Sequence, residues 1–375
     1  MDEIKIGVVG VGAIAQVHIQ NIITQQAVYG NSNGVAKLVI AVDVDEAAAK
    51  ATCEKFGFET YSTDWHDAIV SGINLLVVAT PNQFHYDVTK AALEYGIHVL
   101  CEKPLTNCVE QSRELARIAK ENNLVNYVGY IYVTSPLQVF VKDLIDTGKL
   151  GRITRVHGTF DYGEKIDENF PLVWRLAKKE AKGGALGDIS SHVLSSFKMM
   201  LGDAKRVVGI QKTAIKERPL AWGSEEMGTV EADDMTDFLI EYENGVIGSI
   251  GCTCMGGGHR PVGIEYEIQG TKGTVIVRED SLTDAQVWFK DDDIQGFRKV
   301  SLGPYDAYSD HRMWGGYSDM MTFEYNKLFA ALTHGEEYLC DFEFGIQIDE
   351  IIEAVQQSAD TGRWVDVKTH TETEK

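Results

Sequence analysis

Ile4-Lys5-Ile6-Gly7-Val8-Val9-Gly10-Val11-Gly12-Ala13-Ile14-Ala15 decides the fold. The short apolar run at 4–9 suits a buried strand of a parallel sheet. It leads at once into G-x-G-x-x-A, the dinucleotide-binding fingerprint. Gly10 permits the tight turn, Gly12 lets the backbone approach a pyrophosphate, and Ala15 keeps the next helix close to its strand. That helix opens at Ala13 and Ile14 and presents its first amides to phosphates. Glycines near strand ends are common, so context has to support the motif. Residues 37–42 supply it as a second strand, closed by Asp43. A carboxylate there accepts hydrogen bonds from an adenosine ribose and repels a 2′-phosphate, which favours NAD over NADP. The spacing from Ala15 exceeds the usual ~20 residues. An insertion at 25–34, with Asn31-Ser32-Asn33-Gly34 as turn chemistry, accounts for the excess. The plainer reading makes Asp43 a solvated strand end or a cap for a helix over 46–56.

Strand–helix alternation continues. Residues 74–80 read as an apolar strand ending in Thr80-Pro81-Asn82, and a helix follows over about 85–95 with Gly96 as its C-cap. A strand at 97–101 runs into Glu102-Lys103-Pro104. A helix over 108–122 then starts from Asn107 as N-cap, with Glu110 three residues later, before a last strand at 125–129. The strand ends Val9, Val42, Thr80 and Cys101 should align along one edge, where ligands of such sheets bind. Thr80, Pro81, Asn82, His85, Glu102 and Lys103 therefore fall at the cofactor crevice, with His85 capping or lining it or serving a structural role.

After Gly129 the pattern changes. A helix is expected over 136–146, and beyond Arg152 the period becomes two: Val156, Gly158, Phe160 and Tyr162 share one face. Strands at 236–243 and 246–252 flank Asn244-Gly245, a strong hairpin signal. Ile264, Tyr266 and Ile268 alternate with acids, and Gly270-Thr271-Lys272-Gly273 turns into 274–278. The expected architecture is an α/β Rossmann domain over 1–129. An α+β domain with a mostly antiparallel, open-faced sheet follows over 130–375, and the active site is expected between the two.

Composition excludes several classes. The chain has 375 residues, 44% hydrophobic and 24% charged, which suits a globular enzyme of two domains. A formal net charge of −21 argues against nucleic acid or an anionic membrane as partner. No stretch approaches a transmembrane span, and Met1-Asp2-Glu3 is acidic, unlike a signal peptide. The six cysteines form no C-x-x-C pair, and Cys252 and Cys254 share one face of an apparent strand. Packing suits that pair better than a metal site. Reduced thiols in the cytoplasm are the simplest account.

The chain resembles the glucose–fructose oxidoreductase/inositol dehydrogenase/MocA (Gfo/Idh/MocA) family over nearly its whole length. The likeness is carried by Gly7–Ala15, Ala79-Thr80-Pro81-Asn82 with His85, and Glu102-Lys103-Pro104. Further on come Gly183-Gly184-Ala185-Leu186-Gly187-Asp188 with His192, and Thr361-Gly362-Arg363-Trp364. The resemblance implies oxidation or reduction of a carbinol on a sugar, polyol or related molecule with a nicotinamide cofactor. It also implies a homodimer or homotetramer built through the open sheet face.

Such chemistry needs a base for the hydroxyl proton and a group that holds the oxygen. On a helix Asp188 and His192 are i and i+4, so both project from one face. His192 is the expected base, Asp188 orients it or binds a neighbouring hydroxyl, and Lys103 stabilises the alkoxide-like oxygen. An isolated D-x-x-x-H is more often an ion pair or cap beside a satisfied core histidine; Lys103 and the family motifs turn that balance. Tyr130 and Tyr132 are candidates for stacking on a sugar ring, or for packing. Ile131-Tyr132-Val133 departs from the arginine many relatives carry after this strand. Trp174-Arg175 and His311-Arg312 suit sugar recognition or a subunit contact. The leading expectation is an NAD-dependent dehydrogenase acting on a sugar, cyclitol or glycoside. The alternatives are a redox-neutral enzyme that recycles bound NAD and a non-catalytic NAD-binding regulator.

Overall fold

The computed structural model describes residues 3–163, 165–176, 183–256, 264–278, 285–291, 296–300, 302 and 317–367. The chain forms two compact units: Met1–Ile131 with Ser318–Ile346, and Tyr132–Tyr317 with Gln347–Lys375. No helix among the described residues is long and apolar enough to cross a membrane.

In the first unit six parallel strands run β1 (Glu3–Val9), β2 (Val35–Val42), β3 (Thr60–Ser62), β4 (Leu75–Val78), β5 (His98–Cys101) and β6 (Asn126–Val128). Their order, β3-β2-β1-β4-β5-β6, is that of the doubly wound dinucleotide-binding fold. Every residue of β4 is buried, which is why its sequence is continuously apolar rather than alternating. Val9 pairs with Val42 and Val78, and Val78 with Cys101, so these ends share one edge. The fourth strand stops at Val78, short of the expected Thr80. Ala79 and Thr80 leave the ladder beside Gly10 (φ +85°), where any side chain would lie 2.6 Å from the Ala79 carbonyl oxygen.

Helix α1 (Ala13–Tyr29) runs well into the expected insertion, and α2 (Glu46–Phe56), α3 (His66–Val70), α4 (His85–Glu94) and α5 (Val109–Glu121) follow. The expected Asn107 cap is not formed. Cys108 is the N-cap of α5, with no side-chain bond, and Thr106 Oγ1 donates to the Cys108 carbonyl at 2.6 Å and lies 2.7 Å from Ser112 Oγ. The chain from 318 to 346 returns to this unit. Its helix buries Met320, Met321, Tyr325, Leu328 and Phe329. Thr322 and Asn326 bond to Asn21 of α1 and Asn33 of the insertion, at 2.6 and 2.8 Å.

The second unit opens with α6 (Pro136–Asp146) and is built on a sheet with nine strands among the described residues. Its middle strands are β7 (Ile153–Asp161), paired parallel with Ile247–Thr253, and Met235–Tyr242, which joins Ile247–Thr253 in an antiparallel hairpin. The hairpin turn is Asn244-Gly245, where Gly245 supplies φ +82°. Val156, Gly158 and Phe160 point inward, as their spacing requires. A side chain at Gly158 would strike Val193 and Phe197, so this glycine lets α7 (Ser191–Leu201) lie against the sheet. The opposite face is open: Ile210, Leu239 and Ile247 are 70%, 46% and 57% exposed.

Candidate active site

At the fingerprint, α1 begins from Gly12 with no side-chain cap and no acid in its first turn. A side chain at Gly12 would meet nothing within 4 Å. Free helix-start amides, a bare backbone and a positive dipole end are what a pyrophosphate needs. Asp43 Oδ2 accepts the Val11 amide at 2.8 Å and Oδ1 the Asp45 amide at 3.0 Å. The carboxylate is thus fixed at the fingerprint turn, with lone pairs left for ribose hydroxyls. It does not cap α2. Asp45 does, accepting from Ala47 and Ala48.

Thr80-Pro81-Asn82 lies past β4, and Thr80 Oγ1 is buried with no hydrogen-bond partner among the described residues. These features fit a dinucleotide. His85 is fully buried, with Nδ1 3.0 Å from the Pro104 carbonyl oxygen and Nε2 2.9 Å from that of Thr80. It ties two strand-end loops together, and burial holds its pKa below the ordinary value despite both carbonyls.

Glu102 is 7% exposed and ionised. Burial would raise its pKa, but the hydrogen bond and charge of His18, then the charge of Lys103, bring it below the ordinary value. Glu102 Oε1 accepts from His18 Nε2 at 2.8 Å and Oε2 from the Lys103 backbone amide at 3.1 Å. The Tyr325 hydroxyl meets the other nitrogen of His18 at 2.9 Å. This buried chain fixes the backbone that presents Lys103. Beside it, Glu324 is fully buried and both its carboxyl oxygens lack partners among the described residues. Burial, then the Glu102 charge, pushes its pKa well up, so it is held protonated.

In the second unit, Asp188 sits on a π-helical turn, Ala185–Ser190, and His192 on the first turn of α7. The expected regular helix is therefore widened under the aspartate. Ser190 Oγ closes the wide turn by donating to the Ala185 carbonyl at 2.9 Å; such insertions cluster at functional sites. His192 is 5% exposed, edge-on to Tyr132 at 5.0 Å and to Phe160 at 6.0 Å between ring centroids. Arg175 stacks on Trp174 at 4.4 Å and places Nε 3.8 Å from Asp188 Oδ1. Lys165, which no sequence signal marked, brings Nζ to 3.7 Å from Asp188 Oδ2 with 3% of its side chain exposed. Tyr130 belongs to the first unit, fully buried against Phe344 at 6.0 Å, a packing role. Tyr132 is 1% exposed, with its ring edge-on to His192. His311 lies outside the described residues.

Asp233 docks the turn that bears Asp188. Its carbonyl accepts the Ala185 amide at 2.9 Å and its Oδ2 the Leu186 amide at 3.0 Å. Burial, outweighing these bonds, raises this carboxyl from 3.8 to about 6. The folded protein thus holds the proton more tightly than the unfolded chain. That stability is complete below pH ~4 and is lost as pH rises through the folded value. Relative to Asp233→Asn, wild type should lose about 3 kcal/mol between pH 4 and 7, from a shift of about two units at ~1.4 kcal/mol each. Denaturant unfolding of both proteins at each pH checks this; a constant difference would refute it.

Residues 4–130 match the Gfo/Idh/MocA oxidoreductase family model with an NAD-binding Rossmann fold, and residues 142–367 match that family's C-terminal alpha/beta domain. Levoglucosan dehydrogenase of Pseudarthrobacter phenanthrenivorans is 32% identical over 388 aligned residues, 98% of this chain and 99% of its own. The scyllo-inositol 2-dehydrogenase (NAD(+)) of Bacillus subtilis is 27% identical, over 73% of this chain and 74% of its own. Among solved structures, levoglucosan dehydrogenase in complex with NADH superposes with a TM-score of 0.93 at 31% identity, covering 98% of this chain and 100% of the other. Fingerprint and sheet order agree with that match: the chain belongs to the Gfo/Idh/MocA oxidoreductase family and is an NAD-dependent oxidoreductase.

Proposed function

We propose that the chain oxidises a secondary alcohol of a cyclic sugar or cyclitol, an anhydrosugar of the levoglucosan type first among them. One observation carries this reading. Asp188 and His192 stand on consecutive turns, and the side chains around Asp188, Lys165 and Arg175 with Trp174 stacked on the arginine, are types that bind hydroxyls and sugar rings. The likeness to levoglucosan dehydrogenase over 98% of the chain supports it.

Gly10, Gly12, Ala13, Ile14, Asp43, Thr80, Pro81, Asn82, Glu102 and Lys103 hold the cofactor in this reading, with His85 bracing their loops. The bound nicotinamide supplies the acceptor for the two electrons leaving the carbinol. His192 takes the hydroxyl proton, Lys103 stabilises the negative charge that develops on oxygen, and Asp188 orients the sugar through a second hydroxyl. The stretch 1–129 serves NAD and 130–375 serves substrate and assembly. A homodimer or homotetramer forms through the open sheet face carrying Ile210, Leu239 and Ile247, checked by light scattering. Six free cysteines support a reducing compartment, the cytoplasm.

The test is oxidation of levoglucosan and scyllo-inositol with NAD, followed by NADH absorbance. Turnover of neither, nor of a wider panel of cyclic polyols, overturns the reading. In the same assay NAD should outperform NADP, because the fixed Asp43 carboxylate repels a 2′-phosphate. Asp43→Ala should narrow the gap by roughly tenfold or more, the scale of one lost charged hydrogen bond. Equal efficiency of wild type with both cofactors would end the ribose assignment.

A further inference from the structure

We propose that Lys165 is a substrate-binding residue that selects polyols, gripping one hydroxyl jointly with Asp188; the inference rests on the function proposed above. Lys165 stands in the segment after β7. That segment is held by Arg218, which is fully buried and donates to the carbonyls of Lys165 at 2.6 Å, Asp167 at 2.8 Å and Phe170 at 3.3 Å. A fully buried guanidinium spent on three carbonyls gives the segment one shape and aims the lysine inward.

What the ammonium meets there is sparse. Among the described residues its partners are the Cys254 thiol at 3.8 Å and Asp188 Oδ2 at 3.7 Å. Burial pushes that thiol up to about 12, so it is neutral and a weak acceptor. A structural ion pair would close to about 2.7–2.9 Å. A buried ammonium carries three donors and costs several kcal/mol unless oxygens satisfy them. Asp188 Oδ1 faces Arg175 Nε at a similar 3.8 Å. Both cations thus stand outside hydrogen-bonding distance of the same carboxylate, and one oxygen seated beside the pair can reach the ammonium and the carboxylate together. A substrate hydroxyl meets the requirement as donor to the carboxylate and acceptor from the ammonium. Its position on the sugar is set by the residues themselves. His192 takes the reacting proton, and Asp188 precedes it by one turn, so the gripped hydroxyl belongs to a neighbouring carbon.

The test compares wild type with Lys165→Met, which keeps the stem and removes the charge, and with Lys165→Gln, which restores one polar head. The probes are levoglucosan and its mono-deoxy analogues, and NADH affinity and thermal unfolding serve as fold controls. Lys165→Met should lower kcat/KM on levoglucosan about 10²-fold with NADH affinity unchanged, and Lys165→Gln should recover part of the loss. On one deoxy analogue wild type itself should fall by about 10²-fold, with less than about threefold further loss in Lys165→Met. Full activity of Lys165→Met, or one constant ratio across all analogues, overturns the inference while leaving the dehydrogenase reading intact. If wild type oxidises no polyol, that reading fails, and calorimetric binding of levoglucosan to the NADH-loaded proteins decides this one. Weaker binding to Lys165→Met supports it; equal binding, or none to either protein, overturns it.

Discussion

His192→Ala should lower turnover of the wild-type substrate by about 10²–10⁴-fold, the scale of a positioned general base. In the proposed role the imidazole is held in place by its neighbours. It is 5% exposed between the rings of Tyr132 and Phe160, and the Ser195 and Ser196 hydroxyls donate to the His192 carbonyl at 2.9 and 3.0 Å, securing the first turn of α7. The alanine also opens a gap in that ring cluster, at a cost of about 2–5 kcal/mol. His192→Gln fills most of the gap without providing a base, so it should be folded and equally slow. NADH binding should survive in both, since the fingerprint belongs to the first unit and His192 to the second. Lys103→Ala should also slow turnover, by loss of charge stabilisation on oxygen. Near-wild-type turnover in folded, NADH-binding His192→Gln would remove the base assignment.

What the sequence made legible, it made legible through period and punctuation. The continuous apolar runs of β1 and β4, the glycines of the fingerprint and the Asn244-Gly245 turn are local signals, and each element formed where its signal lay. The features that escaped depend on distant partners. A helical stripe of apolar residues does not say which sheet it will cover, so the return of 318–346 to the first unit was invisible. Lys165 carries no spacing signal; its backbone is held by Arg218, which lies 53 residues away along the chain. Asp43 could cap α2 on paper, but the Val11 amide claims its carboxylate and Asp45 caps the helix instead. The π turn beneath Asp188 is likewise set by Asp233, a residue from another part of the chain.

That docking also makes Gly184 the position where the smallest substitution should do the greatest harm. Gly184 has φ +75° and ψ −162°, a region essentially restricted to glycine. An added methyl would press on the carboxylate and carbonyl oxygens of Asp233 and lie 2.7 Å from its backbone nitrogen. Asp233 cannot yield without releasing the Ala185 and Leu186 amides, and with them the turn that carries Asp188. Gly184→Ala should therefore cost about 3–5 kcal/mol of stability, combining backbone strain with the clash. Displacing the turn by even ~1 Å should cost about 10²-fold in turnover, with NADH affinity preserved. Gly30 provides the control: it too has a positive φ, +67°, but a side chain there would meet nothing within 4 Å. Gly30→Ala, in the same backbone region, should show the backbone cost alone, about 1–3 kcal/mol, with normal turnover. Thermal and denaturant unfolding of the two variants, beside their kcat, separates the effects. If Gly184→Ala proves no worse than Gly30→Ala, the Asp233 contact does not hold the turn, and the rigidity assigned to Asp188 and His192 must come from elsewhere in the second unit.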